Sequence, residues 1–215
     1  VDYFACLLPY ETIYIEAQEN FQKQTYRNRS YILTSQKVDI LTVPVIQGQK
    51  KQLYTELKID YSQPWVAHHW RAICTAYGKA PYFEYLATYF QEVLHQGHTY
   101  LFELNWAILQ LCLKILGIQK EIRMTDRYMA NPDASIRDVR SQIQPQNRFN
   151  SPTYYQPFCY QQVFGTVFIR NLSVIDLLFC EGPNAYNMLN KYSIKHPRNC
   201  YIVTGSLVLP PLTPS

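Results

Sequence analysis

The chain has 215 residues, of which 47% are apolar and 17% charged, enough to close a full core and too apolar for a disordered chain. Its net charge of +4 comes from 20 basic and 16 acidic side chains, and outside Lys23 to Lys51 the basic residues are spread along the chain, so no nucleic-acid stripe is implied. Six cysteines without a C-x-x-C pair read as reduced thiols of a cytoplasmic protein, and no signal peptide or bilayer-long apolar run is expected.

In chain order, Thr12 to Glu16 alternates β-formers and is predicted as a strand. Tyr31-Ile32-Leu33, the turn Thr34-Ser35-Gln36-Lys37 and the run Val38 to Ile46 predict a hairpin, with Pro44 at an edge or end. Gly48 marks a turn, and Leu53 to Asp60 is expected to return as a further strand. From Pro64 the period changes to that of helices. Trp65, His69, Ala72, Ile73 and Ala76 share one stripe that ends at Gly78, and Pro81 suits the first turn of a second helix carrying Phe83, Leu86, Ala87, Phe90, Val93 and Leu94. Thr99 is the expected N-cap of a third helix, which buries Leu101, Leu104, Ile108, Leu111, Cys112, Ile115 and Leu116 and stops at Gly117. Residues 131–157 read as an irregular loop, Ser173 to Cys180 as a short helix, and 207–215 as a proline-rich extended tail. The expected fold class is α/β, or mixed α+β: a β-rich N-terminal part with a hairpin, then three helices and a short C-terminal helix, in a single domain over 1–215.

The densest chemistry lies in Glu19-Asn20-Phe21-Gln22-Lys23-Gln24-Thr25-Tyr26-Arg27-Asn28-Arg29, where three cations, several amides and two aromatics stand between strand-like segments. Paired arginines match phosphate or carboxylate, amides read hydroxyls, and aromatics stack on a base or sugar face. Lys23, Arg27 and Arg29 are the candidates for an anion; the alternative is an exposed basic loop, with Lys23 paired to Glu16 or Glu19. Asn28 is placed either on a sugar hydroxyl or in the turn. The 19 tyrosines suit ring-binding surfaces, or simply fill strands and half-buried faces.

His69 falls on the apolar stripe and His68 on the polar side with Arg71, Thr75 and Lys79. His69 is a candidate acid or base, or else a core histidine bonded to a backbone carbonyl. Asp60 is the candidate for proton transfer, while Ser62 reads as a cap of the helix that follows Pro64. Ser173 and Asp176 fit a capping box with Leu172 and Leu177 as its staple, which leaves Asn171 to face a ligand. His95 and His98 lack converging partners, so no metal is expected. No P-loop, G-x-G-x-x-G, G-x-S-x-G or H-E-x-x-H occurs, and no cofactor is implied. With seven glycines, phosphate binding falls to side chains.

The basic stretch, continued by Ile40-Leu41-Thr42-Val43-Pro44-Val45, Ile59-Asp60-Tyr61-Ser62-Gln63-Pro64-Trp65, His69-Trp70-Arg71-Ala72-Ile73, Pro81-Tyr82-Phe83-Glu84-Tyr85, Leu116-Gly117-Ile118 and Asn171 to Phe179, resembles the WbqC-like family. The resemblance runs to Pro183. It implies a transferase that modifies an activated or amino sugar, by transfer of an amino acid such as glycine, in bacterial surface-polysaccharide (O-antigen) synthesis. It further implies a small-molecule partner, a nucleotide-sugar, with a homo-oligomer as a further expectation. Members often carry paired acids at the end of the first strand, where this chain offers Glu16 and Glu19. The alternatives are a non-catalytic glycan- or protein-binding module, and a nucleotidyl-transfer enzyme.

Overall fold

The computed structural model describes residues 1–48, 50–140, 143–145, 156 and 158–194, and the backbone of strand 200–204. The proline-rich tail 207–215 lies outside the described residues. A four-stranded sheet in the order β4-β1-β6-β5 is formed by β1 (Thr12–Glu16), β4 (Glu121–Met124), β5 (Ile136–Asp138) and β6 (Cys200–Thr204). All three pairings are parallel, with Ile13 beside Ile122 on one side and Tyr201 on the other. A parallel pair needs a long crossover, and β1 reaches β4 through most of the helical part of the chain. Ile13 and Ile15, which share one face of β1, have no exposed surface, while Tyr14 on the other face is half-buried.

The expected hairpin is present as β2 (Arg29–Leu33) and β3 (Val38–Thr42), antiparallel and separate from the larger sheet. Thr34 closes its turn by accepting the Lys37 N–H and donating to the Lys37 carbonyl. The expected strand over Leu53 to Asp60 is corrected: Tyr54–Glu56 is a 3-10 turn, and Leu53, Lys58 and Ile59 form only isolated bridges to Asn20, Tyr100 and Val45. The buried Tyr54 ring packs edge-on against Phe102, and that inward turn interrupts the extended run.

The three predicted helices are α2 (Trp65–Tyr77), α3 (Phe83–His95) and α4 (Leu101–Leu116); a six-residue α1 (Asp2–Leu7) precedes β1. The N-cap of α4 is Tyr100, one residue after the expected Thr99, because the Glu103 carboxylate accepts the Tyr100 N–H at 3.0 Å. Gly117 ends α4 with φ +66°, a left-handed conformation that suits glycine. The short C-terminal helix α5 (Val174–Glu181) is buried over seven of its eight residues and lays Phe179 against Tyr77, Phe83 and Phe90. An unanticipated α6 (Asn184–Tyr192) follows and packs on α1 and α5. Segment 131–157, read as irregular, contributes β5 and, through Arg140, an anchor to β1. The chain is therefore mixed α/β, with one apolar cluster running from α1 through both sheets' neighbours to α6.

Among the described residues no helix is long and apolar enough to cross a membrane. Burial pushes the thiols of Cys112 and Cys180 up to about 12, so both are protonated and unreactive as nucleophiles at neutral pH.

Candidate functional site

A cavity of about 180 Å³ lies between α1, the base of the β2–β3 hairpin, α2, α4 and the start of α5. Its walls are mostly apolar, with Leu41, Ile73, Leu104 and Ile175 among them, and a small set of polar side chains interrupts them.

The loop from Glu19 to Asn28 sets most of that polar chemistry. It is pinned at its start, where Phe21 donates to Gln52 and Tyr54 donates to Glu19. Arg27 is 4% exposed, and its Nε and Nη2 donate to Glu19 Oε1 and Oε2 at 3.0 and 2.6 Å. Nη1 donates to Thr25 Oγ1 at 3.2 Å, and the Arg27 carbonyl accepts from Asn105 Nδ2 at 2.6 Å. Arg27 touches the cavity, but its charge is matched by Glu19 in a closed fork. Lys23 is exposed and does not line the cavity. Of the three cations read together from the sequence, Arg29 alone meets the cavity without an ion pair among the described residues. Its Nε is sequestered from solvent with no hydrogen-bond partner.

Asn28 takes the turn role of the two left open by the sequence. Its Nδ2 donates to the Val43 carbonyl at 3.1 Å, and its backbone carbonyl accepts from Val43 N–H at 2.9 Å, so it holds the loop against β3. The Oδ1 is buried without a partner. Turning the amide over would set that oxygen against the Val43 carbonyl, so the acceptor faces away from the loop's own bonds. A buried carbonyl oxygen with no protein donor is open to a hydrogen bond from water or from a ligand hydroxyl.

His69 comes from the inner stripe of α2 and reaches the same cavity. Burial lowers its imidazole from 6.5 to about 4, against a hydrogen bond to the Thr42 backbone. Its ring meets Trp65 edge-on at 5.0 Å. The backbone-bonded histidine and the cavity histidine are thus one residue, neutral at physiological pH.

Asn171 also lines the cavity; it is 8% exposed and has φ +58°, a conformation that asparagine tolerates better than most side chains. The neighbouring Ser173 N–H donates to the Tyr31 carbonyl at 2.8 Å, which ties the entry of α5 to β2. Asp60 is elsewhere: its Oδ1 accepts the Ser62 N–H at 2.9 Å, and hydrogen bonds from the Ser62 side chain and backbone hold its carboxyl below the usual range. It is not on the cavity wall. The expected cap by Ser62 is likewise replaced, since Pro64 occupies the N-cap of α2 with no side-chain bond.

The two acids at the end of β1 are both engaged in the fold. Glu16, with no exposed surface, accepts from Thr125 Oγ1 at 2.6 Å and from Gln18 N, Met129 N and Arg140 Nη1, each at 3.0 Å. Glu19 holds Arg27. The capping box at α5 is corrected too. Ser173 makes no side-chain cap, and Asp176 is fully buried, where its Oδ2 accepts from Tyr160 Oη at 2.6 Å and Gln162 Nε2 at 3.1 Å. Burial raises the Asp176 carboxyl, against the bonds from Tyr160, Gln162 and Tyr77.

Sequence reasoning passed over Tyr3 and Asn105, which also line the cavity. Tyr3 Oη is buried with no hydrogen-bond partner. Asn105 carried a signal, because an amide inside the apolar run of α4 requires partners; it finds the Arg27 carbonyl and the Tyr54 hydroxyl.

No solved structure matches the chain. The uncharacterized protein Rv1507c of Mycobacterium tuberculosis is 29% identical over 212 residues, covering 87% of this chain and 91% of that protein. A family model described as the WbqC-like protein family matches residues 1–156, which include the hairpin, the cavity's polar loop and His69. The chain belongs to the WbqC-like protein family.

Proposed function

We propose that the protein is a transferase acting on an activated or amino sugar in bacterial surface-polysaccharide synthesis, with the cavity as its sugar site. One observation carries the reading: Arg29, a guanidinium without an ion pair among the described residues, lines the same largely apolar cavity as Asn28, whose buried Oδ1 has no donor. Arg29 takes the anionic group, Asn28 and Asn171 take hydroxyls, and neutral His69 accepts a proton from the attacking hydroxyl or amine. The transferred group is an acyl unit, with an amino acid such as glycine as the first to try; it comes from an activated acyl donor, whose bond to its leaving group breaks as the ester or amide to the acceptor forms. Lys23 and Asp60 have no part in this reading because neither lines the cavity, and Arg27 contributes by holding the loop.

The cavity is smaller than the ~300 Å³ at the lower end of common small-molecule sites, so it accommodates a monosaccharide-sized head and leaves the nucleotide of an activated sugar outside. The test is a thermal-shift screen of nucleotide-sugars and amino sugars, followed by mass spectrometry of the acceptor with glycine-containing donors. A mass gain in the acceptor that is lost in Arg29→Gln, with the melting temperature of that variant unchanged, supports the assignment. Full turnover in both Arg29→Gln and His69→Gln would sink it. Ligand binding without any mass gain would make the protein a glycan-binding module instead.

A further inference from the structure

The contacts assigned to Arg29, Asn28, Asn171 and His69 leave Tyr3, which lines the same cavity from α1, without a role. Its ring is set in place by the packing around it and not by its own hydroxyl. Cys6 Sγ donates to the Tyr3 carbonyl at 2.9 Å, Ser193 Oγ donates to the Ala5 carbonyl at 3.0 Å, and the buried Phe4 meets the Tyr3 ring edge-on at 5.7 Å. The Oη is sequestered from solvent and has no hydrogen-bond partner among the described residues. Its polar neighbours are engaged with one another: Glu19 holds Arg27 by two bonds, and Tyr54 Oη accepts from Asn105 Nδ2. Phenylalanine would make the same apolar contacts without burying a polar atom, so within the fold this hydroxyl is a net cost. Burial also raises the phenol well above its ordinary value, which keeps it protonated and neutral, able both to donate and to accept. Asn28 Oδ1 only accepts and Arg29 only donates, so Tyr3 brings to the cavity wall a group that serves a sugar hydroxyl in either sense.

We propose that Tyr3 is a further substrate-binding residue, its phenol hydroxyl hydrogen-bonding a hydroxyl of the sugar held in this cavity. This rests on the reading of the cavity as the sugar site and adds a contact from α1. One atom then acts with opposite sign on stability and on binding: Tyr3→Phe relieves the ligand-free fold of an unsatisfied hydroxyl and strands a hydroxyl of the bound sugar. A tyrosine hydroxyl that served the fold would lose stability in the same substitution.

Thermal melting of the ligand-free 215-residue chain, and its isothermal titration with glucose, glucosamine, N-acetylglucosamine and uridine diphosphate glucose, test the assignment in wild type, Tyr3→Phe and Arg29→Gln. The expected affinity result is that at least one probe binds the wild type and that its Kd rises about five-fold or more in both variants, the loss of one hydrogen bond or more. The expected melting result is that Tyr3→Phe unfolds later than wild type or within about 2 °C of it. Earlier melting than that overturns the assignment whatever the affinities, because the hydroxyl then has a partner in the fold. A smaller rise in Kd for Tyr3→Phe, with the full rise for Arg29→Gln, overturns the Tyr3 contact alone; the sugar site stands and water serves the hydroxyl. Binding that depends on Tyr3 and not on Arg29 keeps the Tyr3 contact and removes the anion role of Arg29. If no probe binds, or binding depends on neither residue, the Tyr3 contact and the proposed sugar site fall together.

Discussion

Replacing Arg27 by methionine should strike the fold before it strikes the ligand. The guanidinium is 5% exposed and the Glu19 side chain 8%, with contacts of 3.0 and 2.6 Å between them. Removing one partner of such a pair leaves a buried charge unmatched, which typically costs about 3–5 kcal/mol. For a chain of this size each kcal/mol moves the melting temperature by about 2–4 °C, so Arg27→Met or Glu19→Leu should melt roughly 6–20 °C early. The double variant Glu19→Leu/Arg27→Met removes both charges and should recover much of that loss, because the pair's attraction is largely offset by the desolvation of its members. A differential scanning calorimetry cycle over the four proteins reads the coupling directly. If Arg27→Met melts within about 1 °C of wild type, the fork is not buried as described and Arg27 returns to the list of ligand contacts.

His69 gives a pH signature. Its folded-state value of about 4 lies below the unfolded 6.5, so the unfolded chain takes up the proton first and stability falls as the pH drops from 6.5 towards 4. Between pH 7.5 and 5.0 this contributes at most about 2 kcal/mol of loss in urea unfolding, which His69→Gln should remove from the wild-type slope; an unchanged slope contradicts the burial account. For Asp176 the comparison is between two substitutions in the same assay. Asp176→Leu strands the Tyr160 and Gln162 donors, a loss of roughly 2–6 kcal/mol, whereas Asp176→Asn keeps an acceptor oxygen and should lose less. Equal losses would show that those two bonds do not matter. At Gly182 a Cβ would stand 2.4–2.5 Å from the Tyr82 ring, and φ is +52°. Gly182→Ala should therefore destabilise by about 2–4 kcal/mol, and Tyr82→Ser in the same chain should recover the steric share alone. A wild-type melting temperature for Gly182→Ala would place α5 further from Tyr82 than the structure has it.

The order in which this molecule became legible follows the range of its interactions. Helices α2, α3 and α4 and the β2–β3 hairpin are local patterns: a 3.6-residue stripe, a glycine stop and a four-residue turn specify each of them from its own residues. The parallel sheet has no such local mark. Thr12 pairs with Glu121 and Cys200, partners more than a hundred positions away, and no connecting turn announces either pairing. Short elements such as α1 and β5 carry too few residues to show a period.

The site divides in the same way. The sequence by itself marked the basic stretch ending at Arg29 as a candidate for an anion and put His69 on an inward stripe, since side-chain type and helical phase are properties of neighbouring residues. It could not separate Arg27 from Arg29, which share a chemistry two positions apart. Tertiary structure decided that Glu19 closes on the first and that the second meets the cavity without an ion pair among the described residues. It also moved Asp176 from a helix cap to a buried carboxylate, because Tyr160 and Gln162 converge on it from another segment. Desolvation and charge pairing depend on which distant surfaces meet, so whether a charged side chain is spent on the fold or left for a ligand is settled only when the chain has packed.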